Sequence, residues 1–209
     1  DVLRKEVRLI KKLGVKFRFN QRLGDNLSLD ELRNEFDAIY LAIGAWKDID
    51  LKIPGEDAKG VFAGTKILEE IALGKIPKVG ERVVIVGGGN VAIDTARSLL
   101  RLGKDVTIVY RRGKGDMPAN AVEISESEEE MINYCFLASP SGIITGKSGR
   151  VKALRVEKMS PGSIDSSGRK KPVPTGVFEE IPCDAVVLAV GERVDSGCLV
   201  ENNMELTRD

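Results

Sequence analysis

The amino-acid sequence predicts an α/β protein built on a parallel β-sheet with helices on both faces and an antiparallel β insert, and three observations support this fold class. From residue 81 onward, apolar runs of strand length alternate with amphipathic segments of helix length, a pattern typical of parallel strands joined by right-handed crossovers. Glycines follow several of the helical segments, at the positions where helices end. Between residues 141 and 181, short alternating strands interrupt the series and indicate an antiparallel insert.

Each predicted element follows from its own pattern of apolar residues. Before residue 81 we expect, in order, an amphipathic helix at 2–13, a half-buried strand at 15–19, a helix from Ser28 or Asp30 to Asn34, a buried strand at 37–43 and a helix at 65–73. After it we expect a strand at 82–86, a helix at 90–102, a strand at 105–110, a helix at 119–131, and strands at 133–137 and 184–190. The run SPGSIDSSGRKKPVPTG at 160–176 is rich in turn-forming residues and predicts a loop.

Composition excludes several classes of partner. The 209 residues include 32 basic and 32 acidic side chains, so the formal net charge is zero. A protein without a basic patch or arm has no electrostatic affinity for nucleic acid or for an anionic membrane. Apolar runs such as VVIV at 83–86 and AVVLAV at 185–190 are too short to span a bilayer, and the N-terminus shows no signal-peptide pattern. We therefore expect a cytoplasmic protein with neither nucleic acid nor membrane as partner.

Residues that carry chemistry are scarce. The chain contains no histidine, and its three cysteines, Cys135, Cys183 and Cys198, form no CxxC pair. The first absence removes the commonest general base and most transition-metal ligands, and the second removes a redox dithiol and a zinc site. We therefore predict no catalytic side chain and no metal site, and any reaction has to take its reactive group from a cofactor.

A glycine turn between a strand and a helix is the most specific motif. Gly87, Gly89 and Ala92 spell G-x-G-x-x-A directly after the strand at 82–86. In Rossmann-like folds the first glycine permits the tight turn, the second lets a pyrophosphate approach the backbone, and the third small residue lets the helix pack on the strand. Free N–H groups at the helix start attract the phosphates. The predicted cofactor-binding residues are Gly87, Gly88, Gly89, Asn90, Val91 and Ala92. The alternative is a tight turn without a ligand.

Two arginines, Arg111 and Arg112, follow the next strand. They lie roughly 20 residues beyond the turn, where an NAD-binding domain has an acidic residue for the ribose 2′-hydroxyl. A guanidinium group is suited to bidentate binding of a 2′-phosphate, which a carboxylate would repel. The pair therefore predicts NADP(H) in preference to NAD(H) and argues against S-adenosylmethionine. Two solvated loop arginines are the alternative.

Two segments of eight residues repeat one pattern, DAIYLAIG at 37–44 and DAVVLAVG at 184–191. Each follows a predicted helix and strand, which suggests a duplicated unit. Gly44 and Gly191 close the two copies and are further candidates for cofactor contacts. The first copy has no glycine turn before it, so we expect the chain, which begins at Asp1, to be an internal part of a larger protein.

The run VVIVGGGNVAIDTARSLLRLGKDVTIVYRRGKGDMPA resembles the pyridine-nucleotide domain of the NADPH-dependent glutamate synthase beta-subunit family. The segments DAIYLAIGAWKD, IPGED, GRKKPVPTGVF and DAVVLAVGERVD extend the resemblance over the whole chain. The resemblance implies a flavin-dependent oxidoreductase that passes hydride between NADPH and FAD. It also implies an iron–sulfur or synthase partner, as a domain or a subunit, that receives the electrons.

The same resemblance implies a division into domains. Residues 1–76 would be the C-terminal part of an FAD-binding domain plus a crossover, 77–195 an NADP(H)-binding domain with its insert at 141–181, and 196–209 the start of a return to the FAD domain. The FAD domain's glycine motif and the cysteine-rich cluster segment are missing from this sequence, so we do not expect the chain alone to retain FAD. A nucleotide-binding module without turnover is the alternative function that the sequence leaves open. A thioredoxin-reductase-like flavoprotein is disfavoured because the sequence lacks CxxC.

Overall fold

The computed structural model describes residues 2–202, 204 and 205, and contact density divides the chain into two units. The central unit is Lys47–Arg193, and the terminal unit combines Asp1–Trp46 with Val194–Asp209. The elements follow in the order α1 Val2–Lys12, α2 Leu29–Glu35, β1 Lys47–Asp48, β2 Val61–Ala63, α3 Gly64–Ala72, β3 Arg82–Val86, α4 Asn90–Arg101, β4 Asp105–Tyr110, a 3₁₀ helix Lys114–Asp116, α5 Ala121–Glu129, β5 Asn133–Phe136, β6 Ala138–Thr145, β7 Val151–Ile164, β8 Lys170–Pro182, β9 Ala185–Leu188, β10 Glu192–Arg193 and α6 Gly197–Glu201.

Five parallel strands form the main sheet of the central unit, whose residues are all described. Their order is β2, β9, β3, β4, β5. The chain runs from β3 to β4 and β5 on one side, whereas β9 and β2 lie on the other side. Every β3 residue after Arg82 is buried, as expected for a strand that is covered on both faces. The strand order changes direction at β3, so a crevice opens beyond its C-terminal end.

Alternate residues of the sheet contact two different layers. Val83 and Ile85 belong to a core shared with α3, α4 and α5, whereas Val84 and Val86 belong to a core shared with β6 and β7. Helices therefore cover one face and the insert covers the other, whereas the sequence predicted helices on both faces. An apolar strand does not reveal what packs on each of its faces. The predicted fold class, a parallel α/β sheet with an antiparallel insert, is confirmed.

The insert is an antiparallel sheet in the order β6, β7, β8. The loop predicted at 160–176 is wrong for most of its length, because β7 extends to Ile164 and β8 begins at Lys170. Pro172 and Pro174 are accommodated in β8 because it is an edge strand. The pairing register between β7 and β8 is irregular next to Pro161, as at a β-bulge.

The terminal unit has helices α1, α2 and α6 among its described residues. A capping box begins α2, since the Ser28 hydroxyl accepts the N–H of Glu31 and the Glu31 carboxylate accepts the N–H of Ser28. The strands predicted at 15–19 and 37–43 are wrong. No neighbouring strand in the described residues supplies them with backbone hydrogen bonds, and an apolar run needs such a partner to form a strand.

The observed boundaries of the central unit are Lys47 and Arg193, whereas the sequence predicted boundaries at 77 and 195. The stretch from 47 to 76 joins the central unit because β2 pairs with β9 and Ile67 of α3 is buried in the helical core. Of the two repeated segments, only the second forms a strand, β9. In the described part of the chain, no helix is both long enough and apolar enough to cross a membrane.

Candidate functional site

A cavity of about 800 Å³ opens at the C-terminal edge of the main sheet, where β9, β3 and β4 end side by side. Its lining comes from the loops after these strands, from the segment 49–53 and from the insert. The volume lies within the range of cofactor sites, roughly 300–1,000 Å³. Its position is the switch point at which open α/β sheets bind their ligands.

Two of the three glycines in the turn are required by the protein itself. Gly87 has a φ of +148°, and a Cβ there would lie 2.2 Å from the carbonyl oxygen of Ala189. A Cβ at Gly88 would lie 2.5 Å from Cε2 of Tyr110. That ring cannot move away easily, because it is buried and its hydroxyl donates to the carbonyl oxygen of Asp116 at 2.7 Å. These two glycines therefore allow the strand ends to pack together and say nothing about a ligand.

Gly89 differs from them, because no protein atom requires a glycine there. Its φ of −91° and ψ of 179° are extended backbone that any residue adopts. A Cβ built on it would meet no protein atom within 4 Å, and the residue lines the cavity. Bare backbone facing a cavity fits a ligand that contacts the main chain closely, as a pyrophosphate does. The glycine turn therefore fits a dinucleotide.

The first two residues of α4, Asn90 and Val91, also line the cavity. Among the described residues their N–H groups have no acceptor, as expected for the first turn of a helix. Gly89 is the N-cap and offers no side-chain oxygen in their place. The helix start thus keeps donors and the positive end of its dipole available to an anion.

The loop before α5 supports the turn. The Asn90 side chain accepts the N–H of Asn120 at 3.0 Å, and the N–H of Ala119 donates to the carbonyl oxygen of Gly88 at 3.2 Å. Asn90 therefore has a structural partner for its side chain as well as its predicted place at the cavity. Ala92 is fully buried in the core between α4 and the sheet, which is the close packing that its small size permits.

Arg111 and Arg112 both line the cavity but differ in environment. Arg111 is exposed, and its side chain has no hydrogen-bond or ion-pair partner among the described residues. Arg112 is 6% exposed and is held by Asp165, at 2.6 Å from Nη2 to Oδ2, and by the carbonyl oxygen of Lys170, at 3.0 Å from Nε. Hydrogen bonds from Ser167 and from the backbone N–H of Arg169, together with the Arg112 charge, lower the pKa of Asp165 to about 2.

The cavity has an apolar wall beside the end of β9. Gly191, with a φ of +119°, lines the cavity, and its carbonyl oxygen accepts the N–H of Ile49 at 3.1 Å. Leu51 and Ile53 continue this wall, and their N–H groups donate to the Glu56 carboxylate at 2.7 and 3.2 Å. The sequence predicted Gly191 at a cofactor but contained no signal for the segment 49–53, whose place depends on tertiary contacts.

Gly44, the other predicted glycine, belongs to the terminal unit and does not line this cavity. Its φ is +67°, and a Cβ there would lie 2.9 Å from Nε1 of Trp46. The conformation alone therefore accounts for glycine at this position.

Sequence reasoning missed Arg169, which lines the cavity from the turn between β7 and β8. The pattern D-S-S-G-R at 165–169 is a turn signal, since Asp and Gly stand three residues apart. The loop predicted at 160–176 includes this turn, but nothing in the sequence indicated its distance from the glycine turn. Glu192 is the only acidic residue that lines the cavity within the described chain, so arginine dominates its charge. No cluster of His, Cys, Asp or Glu among residues 2–202, 204 and 205 is arranged to hold a metal ion.

A parallel sheet, a bare glycine turn and a basic cavity at the strand ends are typical of nucleotide-binding α/β proteins of the Rossmann type. Residues 3–209 match the family described as pyridine nucleotide-disulphide oxidoreductase, and the chain belongs to that family. The predicted resemblance to glutamate synthase small subunits is confirmed by relatives within it.

Among curated proteins, the chain is 39% identical over 200 residues to the NADP(+)-dependent formate dehydrogenase subunit beta of Moorella thermoacetica. That match covers 93% of this chain and 28% of the relative. The chain is 30% identical over 206 residues to the glutamate synthase [NADPH] small chain of Escherichia coli strain K12, covering 92% of this chain and 44% of that protein. The chain therefore spans less than half the length of these two relatives.

Among solved structures, Mycobacterium tuberculosis FprA in complex with NADPH superposes with a TM-score of 0.70 at 24% sequence identity. The match covers 83% of this chain and 54% of FprA. At this level of identity the likeness shows the fold alone.

Proposed function

We propose that this chain binds NADP(H) in the cavity at the strand ends and is the NADP(H)-binding part of a larger flavin-dependent oxidoreductase. The observation that carries the proposal is Gly89, whose bare backbone faces the cavity although no protein contact requires a glycine. Family membership supports it, and the relatives in M. thermoacetica and E. coli are named for NADP(+) and NADPH.

The order of the strands gives the bound dinucleotide a direction. Neighbouring strands lie about 4.8 Å apart, so the ends of β9 and β4 flank the glycine turn of β3 at a total span of about 10 Å. In the proposal, Gly89 and the free N–H groups of Asn90 and Val91 bind the pyrophosphate. Arg111 and Arg112, at the β4 side, would bind the adenosine 2′-phosphate, and Gly191, at the β9 side, would lie near the nicotinamide.

When bound, nicotinamide supplies the hydride chemistry, so the protein has to bind, orient and exclude water rather than transfer protons. The glycine turn fixes the dinucleotide at its centre. The apolar side chains of Ile49, Leu51 and Ile53 exclude water from the β9 side of the cavity. This division of labour needs no histidine and no other acid–base side chain.

The residues of this chain fit FAD less well than they fit NADP(H). The terminal unit has no G-x-G-x-x-G motif in its sequence, and Gly44 has a conformational reason of its own. The proposal therefore assigns FAD to the larger protein. There, hydride would pass between NADPH and FAD, and an iron–sulfur or synthase partner would take up the electrons in the cytoplasm.

Calorimetric titration of the purified chain with NADPH and with NADH tests the binding. We expect NADPH to bind at least tenfold more tightly, a difference of about 1.4 kcal/mol. Arg111→Ala should remove most of that difference, because charge-assisted hydrogen bonds to phosphate are strong. Arg150→Ala is the matched control, since Arg150 is exposed in the central unit and outside the cavity. Equal affinities of the wild type for both nucleotides would contradict the NADP(H) assignment.

A binding module without turnover is the second candidate function, favoured by the poor fit of this chain to FAD. Absorbance and turnover separate the two. A purified chain that is yellow and oxidises NADPH with an artificial acceptor supports the enzyme. A colourless chain that binds NADPH without consuming it supports the module.

A further inference from the structure

Of the three arginines at the cavity, Arg111 and Arg169 carry a guanidinium charge that no carboxylate in the described residues neutralises. Arg112 is neutralised by Asp165, and its Nε is committed to the carbonyl oxygen of Lys170. Arg111 has no side-chain partner among the described residues. Arg169 uses Nε to donate to Ser167 Oγ at 2.9 Å, which leaves both terminal nitrogens without a partner in the described part of the chain.

The turn that carries Arg169 is fastened to the end of β4 on both sides of that residue. Before it, the Asp165 carboxylate binds Arg112 and accepts the N–H groups of Ser167, at 2.9 Å, and of Arg169, at 3.4 Å. After it, the N–H of Lys170 donates to Asp116 Oδ1 at 3.0 Å. The backbone of Arg169 is therefore held beside the arginine pair, although its turn and the loop after β4 are more than 50 residues apart in the sequence.

We propose that Arg169, from the insert, is a second direct contact of the 2′-phosphate together with Arg111, and that Arg112 is a positioning residue that holds the Arg169 turn through Asp165. This inference rests on the proposed NADP(H) function. It assigns the second contact of the 2′-phosphate, beside Arg111, to Arg169 of the insert instead of to the neighbouring Arg112.

Charge and position both favour a phosphate monoester as the ligand of these two side chains. Such a group carries about −1.5 to −2 charges at neutral pH, which two free guanidinium groups match and one does not. Arg112 adjoins β4, the strand on the adenosine side of the glycine turn, and it binds the residues on either side of the Arg169 turn. The pyrophosphate already has its donors in the N–H groups of Asn90 and Val91.

Titration of Arg169→Ala with NADPH and with NADH tests the direct contact. We expect the NADPH dissociation constant to rise about tenfold or more and the NADH constant to stay within about twofold. Lys171→Ala is the control, because it removes one positive charge from the same hairpin at an exposed residue outside the cavity. If Arg111→Ala removes the NADPH preference and Arg169→Ala does not, the inference fails while the proposed function stands. If the wild type has no NADPH preference, the proposed function itself fails.

Asp165→Asn tests the positioning role, because the two explanations predict opposite signs. Removal of the carboxylate makes the cavity edge more positive, so electrostatics alone predicts tighter binding of NADPH. Loss of the Arg112 contact should instead loosen the Arg169 turn and weaken NADPH about threefold or more, with NADH unchanged. Unchanged or tighter NADPH binding would overturn the positioning role. Asparagine keeps an acceptor for the N–H of Ser167, so this bond within the turn persists and only the attachment of the turn to Arg112 is lost.

Discussion

Replacement of Gly89 by serine separates what the ligand requires from what the protein requires. The backbone at Gly89 is extended, with φ −91° and ψ 179°, and a Cβ there meets no protein atom within 4 Å. The folded protein therefore has room for the new side chain. In the proposed complex, the same side chain occupies the space through which the pyrophosphate approaches the main chain.

The expected magnitudes differ sharply between stability and binding. Gly89 is the N-cap of α4, where serine is preferred over glycine by only a few tenths of a kcal/mol, so the free energy of unfolding should change by less than about 0.5 kcal/mol. Both NADPH and NADH should bind at least tenfold more weakly, a loss of about 1.4 kcal/mol, because they share the pyrophosphate. Gly87→Ser should behave in the opposite way and destabilise the fold by about 2–5 kcal/mol, because its Cβ would lie 2.2 Å from the Ala189 carbonyl oxygen at a φ of +148°.

Thermal unfolding and calorimetric titration of the same preparations measure the two effects. Gly115→Ser is the matched control, since a Cβ at Gly115 also meets open space but the residue lies outside the cavity. It should leave both stability and nucleotide binding close to the wild type. Wild-type affinity of Gly89→Ser for both nucleotides would refute the reasoning, because the space in front of Gly89 would then not be the place of the pyrophosphate.

Two further predictions concern the stability of the central unit. Leu154→Ala should lower the free energy of unfolding by roughly 2–5 kcal/mol in a urea titration, because Leu154 is fully buried between the insert and the main sheet. Leu73→Ala, at a leucine that is 64% exposed, is the control and should lower it much less. Equal losses in the two variants would contradict the assigned core. The side-chain and backbone hydrogen bonds from Arg82 lower the pKa of Asp184 from its usual 3.8 to about 2. A lowered pKa in the folded state stabilises the fold above the unfolded value. Stability should therefore fall as the pH drops from 3.8 towards 2. Asp184→Asn should flatten that decline only in part, because Asp165, with a pKa also near 2, keeps its own contribution; an unchanged acid profile would count against the Asp184 pair.

Much of the central unit could be predicted from the sequence because its local signals agree with its tertiary contacts. The strands at 82–86 and 105–110 occur as predicted, and the helix predicted at 90–102 ends one residue earlier. The segment at 37–43 has the same apolar pattern as β9 but forms no strand. What separates the two is the presence of neighbours, since β9 lies between β2 and β3. A pattern of apolar residues states that a strand is possible, and only the sheet around it supplies the hydrogen bonds.

In the candidate site, too, local motifs could be predicted from the sequence, whereas contacts between distant residues could not. The glycine turn and the arginine pair are short, continuous motifs, so their position at the end of β3 and β4 could be predicted from one stretch of sequence. The partner of Arg112 could not, because Asp165 is 53 residues away and reaches it only through the long β7–β8 hairpin. The prolines near that turn indicated a loop, and the edge position of β8 allowed them to be part of a strand instead.

Pro172 and Pro174 of β8 affect whether this edge strand can pair with a strand of a second molecule. A proline in a paired strand is accommodated where its nitrogen points away from the partner strand, so the nitrogens of Pro172 and Pro174 face the open edge. Neither nitrogen carries a hydrogen, and the outward row of donors therefore has two consecutive gaps. A strand from a second molecule that approached this edge would find carbonyl groups without the matching donors. The edge of β8, most of whose residues are exposed, can thus face solvent without acting as a template for intermolecular β-sheet.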